Sequence, residues 1–184
     1  MAANQPQWPR EWLMTDERLG DRLWEAIGAL PAGAGIVFRH YGAPADERAA
    51  LGQRLASACR DRGLVLAVAG STRLATSLGA TLIHNPADDP GTLPVSRSVH
   101  TPDEAKTACG SAASLVFLSP IYATRSHPER KPLLRDTARR IVAACPLPVI
   151  ALGGLNRSRF EEIRSDGFYG WAGIDAWLGD RVRI

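Results

Sequence analysis

Four histidines occur in the 184 residues: His40, His84, His100 and His127. Histidine is the side chain most easily tuned to exchange protons near neutral pH. Each stands at or soon after the end of an apolar run, within Arg39-His40-Tyr41, His84-Asn85, Ser98-Val99-His100 and the polar stretch 125–131. His100, His84 and His127 are therefore candidates for acid–base chemistry. No H-x-H or H-E-x-x-H spacing joins them, so metal ligation by histidine has little support. A second chemical signal is Gly153-Gly154, where an apolar run meets paired glycines ahead of a helical pattern. Such a turn leaves backbone N–H groups open to a phosphate. Gly70-Ser71-Thr72 is a weaker version of it, and 125–131 reads as a polar lid or a solvated loop. The plain structural readings stand beside these, because polar residues begin at strand ends in any parallel sheet and Gly-Gly also makes a tight turn.

Positioning these groups on one rim requires parallel strands. Four nearly continuous apolar runs, 35–38, 64–69, 114–118 and 147–152, have the character of strands buried on both faces. Weaker strands are expected over 12–15, 81–84, 94–98 and 169–174. Helical periodicity fills the intervals 19–30, 46–62, 72–78, 102–110, 133–145 and 157–165. Thr101-Pro102-Asp103-Glu104 puts a cap, a first-turn proline and two acids in order. Eight strands with crossovers predict an α/β fold, a small (β/α)8 barrel with abbreviated fourth and eighth helices. It forms a single domain over 1–184 with 1–11 as an N-terminal extension. The chain is short for a fold that usually runs to about 250 residues. A doubly wound sheet is the alternative, but Gly33-Ala34-Gly35 precedes a strand instead of joining strand to helix.

Composition narrows the setting. At 45% hydrophobic and 22% charged residues the chain is too apolar for disorder. It has no apolar stretch near the ~20 residues of a membrane span. The net charge of +3 comes from scattered arginines, which gives nucleic-acid binding no footprint. The three cysteines, Cys59, Cys109 and Cys145, are far apart and read as reduced, buried thiols of a cytoplasmic protein. A truncated eighth helix near Trp171 and Trp177 predicts an uncovered exterior and a homodimer that buries it.

Several segments in order resemble thiamin phosphate synthase and its relatives, the TenI-type thiazole tautomerases. They are Trp12-Leu13-Met14-Thr15-Asp16, Arg39, 80–84 ending in Ile83-His84, and Arg97-Ser98-Val99-His100. Ser119-Pro120-Ile121-Tyr122-Ala123-Thr124 and Pro148-Val149-Ile150-Ala151-Leu152-Gly153-Gly154-Leu155 complete the series. The resemblance implies a small barrel that binds a thiazole phosphate or a pyrimidine pyrophosphate. It also implies a pocket built from Arg39, Ser98, Thr124, Arg125, Gly153, Gly154, Gly173 and Ile174.

The synthase chemistry that the resemblance implies expels pyrophosphate and needs Mg²⁺ and cations to hold it. Here Ala69-Gly70 stands where the family has Asn-Asp, Tyr41 and His127 stand where it has lysines, and Asp89 is the one acid left to match a metal ligand. Tautomerase chemistry needs only an acid and a base, with no cofactor. The histidine those enzymes carry after the sixth strand is here Pro120, so His100, His84 or His127 would have to serve. Three readings follow: a proton-transfer enzyme acting on a thiazole phosphate, a synthase that keeps Mg²⁺, and a non-catalytic ligand-binding or regulatory relative.

Overall fold

A computed structural model describes residues 8–124 and 129–179. Eight parallel strands close into a barrel in sequence order, with β8 pairing back onto β1. They are β1 Glu11–Met14, β2 Gly35–Phe38, β3 Val65–Ala69, β4 Leu82–His84, β5 Val95–Val99, β6 Ala113–Leu118, β7 Val149–Leu152 and β8 Gly170–Gly173. The helices are α1 Arg22–Gly28, α2 Ala45–Arg62, α3 Thr72–Ser77, α4 Pro102–Cys109, α5 Arg135–Ala144 and α6 Arg157–Ile163. A loop alone joins β4 to β5, and a short 3-10 turn, Asp175–Trp177, follows β8. The two abbreviated helices are thus where the sequence places them.

Alternating strand side chains divide the core in two, as the pleat requires. Trp12, Met14, Val37, Leu82, Leu115, Phe117 and Ile150 fill the barrel interior. Leu13, Ile36, Phe38, Val68, Ile83, Val116 and Leu118 face the helices. The interior is narrow, and Trp12 lies so close to Gly35 that a Cβ there would overlap its indole ring. Trp12 Nε1–H reaches the Pro9 carbonyl at 2.7 Å, which satisfies its one donor inside the core.

Three expectations are corrected. The helix expected over 19–30 is a 3-10 turn at Glu17–Leu19 followed by the shorter α1, because Gly20, at a φ of +49°, breaks the turn between them. Cys109 and Cys145 are joined by a disulfide, not reduced. Cys109 is the last residue of α4 and Cys145 caps the C-terminus of α5. Neighbouring helices bring their Cα atoms to 5.7 Å although 36 positions separate them. The argument from reduced thiols to a reducing compartment therefore falls. Cys59 alone is a free buried thiol, pushed up to about 11 by desolvation.

Trp171 and Trp177 do not form an exposed patch. Their rings stack at 4.8 Å and both are buried, so the surface on which the dimer expectation rested is already covered within the chain. No helix among the described residues is long and apolar enough to cross a membrane.

Candidate active site

At the carboxyl ends of the strands an inner cavity of about 210 Å³ opens over the barrel core. Its wall includes Arg39, Tyr41, His84, Asn85, Ser98, His100, Thr124 and Arg130. An outer lobe of about 430 Å³ shares Thr124, Leu152, Gly153 and Ile174 with it and adds Gly154, Asn156, Arg159, Gly173 and Asp175. A larger groove, about 640 Å³, lies on the barrel exterior between α4 and α5 beside the disulfide. None of its lining residues is among the polar groups that converge at the strand ends, so chemistry and not size marks the site.

The two histidines of the inner cavity are held in opposite ways. His84 is buried, with Nδ1 3.0 Å from Ser96 Oγ and Nε2 3.1 Å from Ser98 Oγ. The Ser98 N–H donates to Asn85 Oδ1 at 2.9 Å, which turns the Asn85 NH₂ toward His84 Nε2 at 3.3 Å. An amide NH₂ only donates, so Nε2 carries the lone pair and Nδ1 the proton. Ser96 Oγ accepts that proton and passes its own to the Ile83 carbonyl. Burial, aided by the Arg39 and Arg97 charges, depresses the His84 pKa to about 3. His84 is thus a neutral, fully bonded residue that orients Ser98.

His100 ends in open space instead. Its Nδ1 lies 2.9 Å from the Ser119 carbonyl and 3.1 Å from Ser119 Oγ. A carbonyl only accepts, so Nδ1 bears the proton and Nε2 presents its lone pair. No hydrogen bond holds Nε2 among the described residues. The backbone is fixed as well: the His100 N–H donates to Glu104 Oε2 at 2.7 Å while the Glu104 N–H donates to Thr101 Oγ1 at 3.1 Å. The Thr101 cap expected at the start of α4 is present, and Glu104 reaches past it to the preceding residue.

Arg39 lines the cavity but is already engaged. Its Nε donates to the Thr15 carbonyl at 2.8 Å and its guanidinium pairs with Asp16 at 3.1 Å. Burial lowers its pKa, against the opposing pull of the Asp16 charge. Burial would raise the Asp16 carboxyl, but hydrogen bonds from Arg18, with the Arg18 and Arg39 charges, hold it below its usual range. Next to this pair, Arg48 of α2 donates to the Arg39 carbonyl at 3.0 Å and the Ala69 carbonyl at 2.6 Å, and packs over Tyr41. His40 is buried below the rim, 3.0 Å from Thr15 Oγ1, and lines neither lobe.

Among the described residues, no acid borders the inner cavity to hold a magnesium ion. Where the resemblance calls for Asn-Asp after β3, the chain places Ala69-Gly70 with the Arg48 cation against the Ala69 carbonyl. Asp89 Oδ1 accepts the Gly91 N–H at 2.9 Å, and Asp88 is taken by Thr72. Neither acid lines the cavity, and the described residues hold no cluster of three or more His, Cys, Asp or Glu able to grip a metal.

Of the residues singled out from sequence, Arg39, His84, Ser98, His100, Thr124, Gly153 and Ile174 meet at the inner cavity. Gly154 and Gly173 join them through the outer lobe. Asp89 stays apart, and Arg125 and His127 lie outside the described residues. The glycine pair has a steric reason. Gly153 sits at φ +99° with a would-be Cβ 2.9 Å from Pro120 Cα, and at Gly154 a Cβ would overlap the Ala123 carbonyl oxygen. The sixth loop therefore packs directly on this turn. Sequence reasoning missed Arg159. The signal was its place three residues after the cap Asn156, since first-turn side chains lean back toward the strand end.

The sequence pattern of the thiamine monophosphate synthase family matches residues 13–177. The chain belongs to this family. Thiamine-phosphate synthase of Roseiflexus sp. is 30% identical over 183 residues, covering 91% of this chain and 78% of that protein. A thiamine biosynthesis bifunctional protein of Symbiobacterium thermophilum is 32% identical over 158 residues, 78% of this chain but 32% of the relative. A putative thiamine-phosphate synthase of Aquifex aeolicus is 37% identical over 81 residues, which is 44% of its length. The chain thus spans about a third and under half of these last two relatives. Thiamine phosphate pyrophosphorylase of Pyrococcus furiosus has the same fold at a TM-score of 0.81 and 25% identity, covering 94% of this chain and 88% of that one.

Proposed function

We propose that this family member binds a thiazole phosphate across the two lobes and moves a proton on the thiazole ring, with His100 as the base. The observation that supports the reading is the bonding of His100, which lines the cavity with Nδ1–H held by the Ser119 carbonyl and no hydrogen bond to Nε2 among the described residues. A proton leaves one carbon of a conjugated thiazole carboxylate for Nε2. The electron pair shifts through the ring, and the proton returns at another carbon. Nothing is oxidised, no group leaves and no metal is required. Ser98, with its hydroxyl donated to His84, turns oxygen lone pairs toward the ligand. The alternative, synthase activity, is favoured by the names of the relatives. It needs a holder for departing pyrophosphate, and the bonding of Arg39, Asp88 and Asp89 speaks against one.

The test is proton exchange in D₂O on a carboxylated hydroxyethylthiazole phosphate, in EDTA, followed by NMR. Deuterium entering the ring system in the wild type and not in His100→Ala supports the reading. Magnesium-dependent condensation of hydroxymethylpyrimidine pyrophosphate with thiazole phosphate would replace it with the synthase. Binding without either reaction would leave a ligand-binding barrel.

A further inference from the structure

Several arginines of this barrel are matched with carboxylates, among them Arg39 with Asp16, Arg135 with Asp166 and Arg157 with Glu11. Arg159 differs. Its guanidinium borders the outer lobe, donates to the Gly154 carbonyl at 2.5 Å and lies over the Tyr122 ring at 5.3 Å. Among the described residues it has no carboxylate partner. The Tyr122 hydroxyl goes to Glu162 at 3.2 Å, so the ring that supports Arg159 is itself tied to α6. One carbonyl and one aromatic face hold the guanidinium beside the lobe and leave most of its five donors without a protein partner among the described residues. Asp175 borders the same lobe, and its charge is close enough to add to the raised pKa of Arg18, which the bond to Asp16 dominates. A dianionic ligand entering there needs a cation not already spoken for.

We propose that Arg159 is the specificity-determining residue for the phosphate monoester of the ligand, a role that Arg39 is too committed to fill. The inference rests on the reading of the site as a thiazole phosphate pocket. It also fixes a direction: the phosphate occupies the outer lobe and the ring lies inward, beside Ser98 and His100. The guanidinium is solvent-exposed, so its contribution weakens with salt.

Calorimetric titration of the full chain at low ionic strength, with hydroxyethylthiazole phosphate and with the unphosphorylated thiazole alcohol, tests it. The wild type is expected to prefer the phosphate. Arg159→Ala should lose about 10- to 100-fold of affinity for the phosphate, the worth of one charge-assisted contact, and keep its affinity for the alcohol. Arg159→Lys should recover part of the loss, because charge remains and the fork does not. A phosphate preference that survives in Arg159→Ala overturns the inference and leaves the pocket reading intact. A wild type that binds neither compound overturns both. Equal melting temperatures of wild type and variants would separate loss of binding from loss of fold.

Discussion

The rim over β1–β3 and the rim over β4–β8 both carry polar side chains, and they differ in what those side chains have left to give. Over β1–β3, Asp16 neutralises Arg39, Arg48 is spent on two strand-end carbonyls, and His40 is buried against Thr15. Over β4–β8, His100 keeps a free nitrogen and Arg159 a guanidinium with no carboxylate partner among the described residues. His84 sits at the border, chemically part of the closed side because both its nitrogens are bonded. A group can act on a ligand only with donors or acceptors that the fold has not already used. By that measure the closed side is scaffold and the open side carries the proposed site.

The largest expected effect sits at the open side. His100→Ala should lower ring-proton exchange by about 100- to 10,000-fold, the worth of a positioned base, while thiazole phosphate still binds. Comparable exchange in that variant, measured by NMR in D₂O, would break the contrast between the halves. A second change should disturb neither half. Reducing the Cys109–Cys145 bond reopens a long loop, and the entropy model gives a stability loss of up to about 4 kcal/mol. Denaturant titration with and without reductant measures that loss, and affinity for the phosphate ligand should hold constant across the two conditions.

The third effect belongs to His84. Folding depresses its pKa from the ordinary 6.5 to about 3, so the unfolded chain takes up a proton that the folded chain refuses. The stability it contributes is complete above pH 6.5 and is lost as pH falls from 6.5 toward 3. His84 alone should remove about 2 kcal/mol between pH 7 and pH 5. Burial lowers the His40 pKa too, so the wild-type slope has a second, smaller contributor. The contribution of His84 is read from the difference in slope between the wild type and His84→Gln. Equal slopes would mean that His84 titrates freely and belongs with the open half.

These contrasts also show what was legible from residue order. The barrel was, because continuous apolar runs at 35–38, 64–69, 114–118 and 147–152 are visible without any tertiary contact, and the Thr101 cap announces α4. The placement of His84 and His100 at one rim was legible for the same reason. Their separate roles were not. His84 and His100 look equivalent in sequence, and only the partners Asn85, Ser96 and Ser119 decide which nitrogen is free. The disulfide was hidden because its two cysteines lie at the ends of different helices, and Arg159 because its value lies in the carboxylate it lacks. Pairing is a tertiary property, so charge counts do not reveal it.

The smallest effect bears most directly on the closed half. Asp16→Asn removes the carboxylate that holds the Arg39 guanidinium at 3.1 Å, and with it the charge that opposes the burial of Arg39. The Thr15 carbonyl still keeps Arg39 Nε at 2.8 Å, so the side chain stays on the cavity wall with its terminal nitrogens released. An anion in the cavity then meets one more uncompensated positive charge than before. Affinity for the phosphate ligand should rise by about two- to fivefold, the scale of a partly exposed ion pair. Asp16 also pairs with Arg18, so the variant should be up to about 1 kcal/mol less stable, although the Asn oxygen can keep the cap on the Arg18 N–H. Tighter binding in a less stable protein is a combination that general loosening of the fold does not produce. Unchanged affinity in calorimetry would mean that Arg39 is held away from the ligand by the barrel wall itself, and that the closed half is closed by shape as well as by charge.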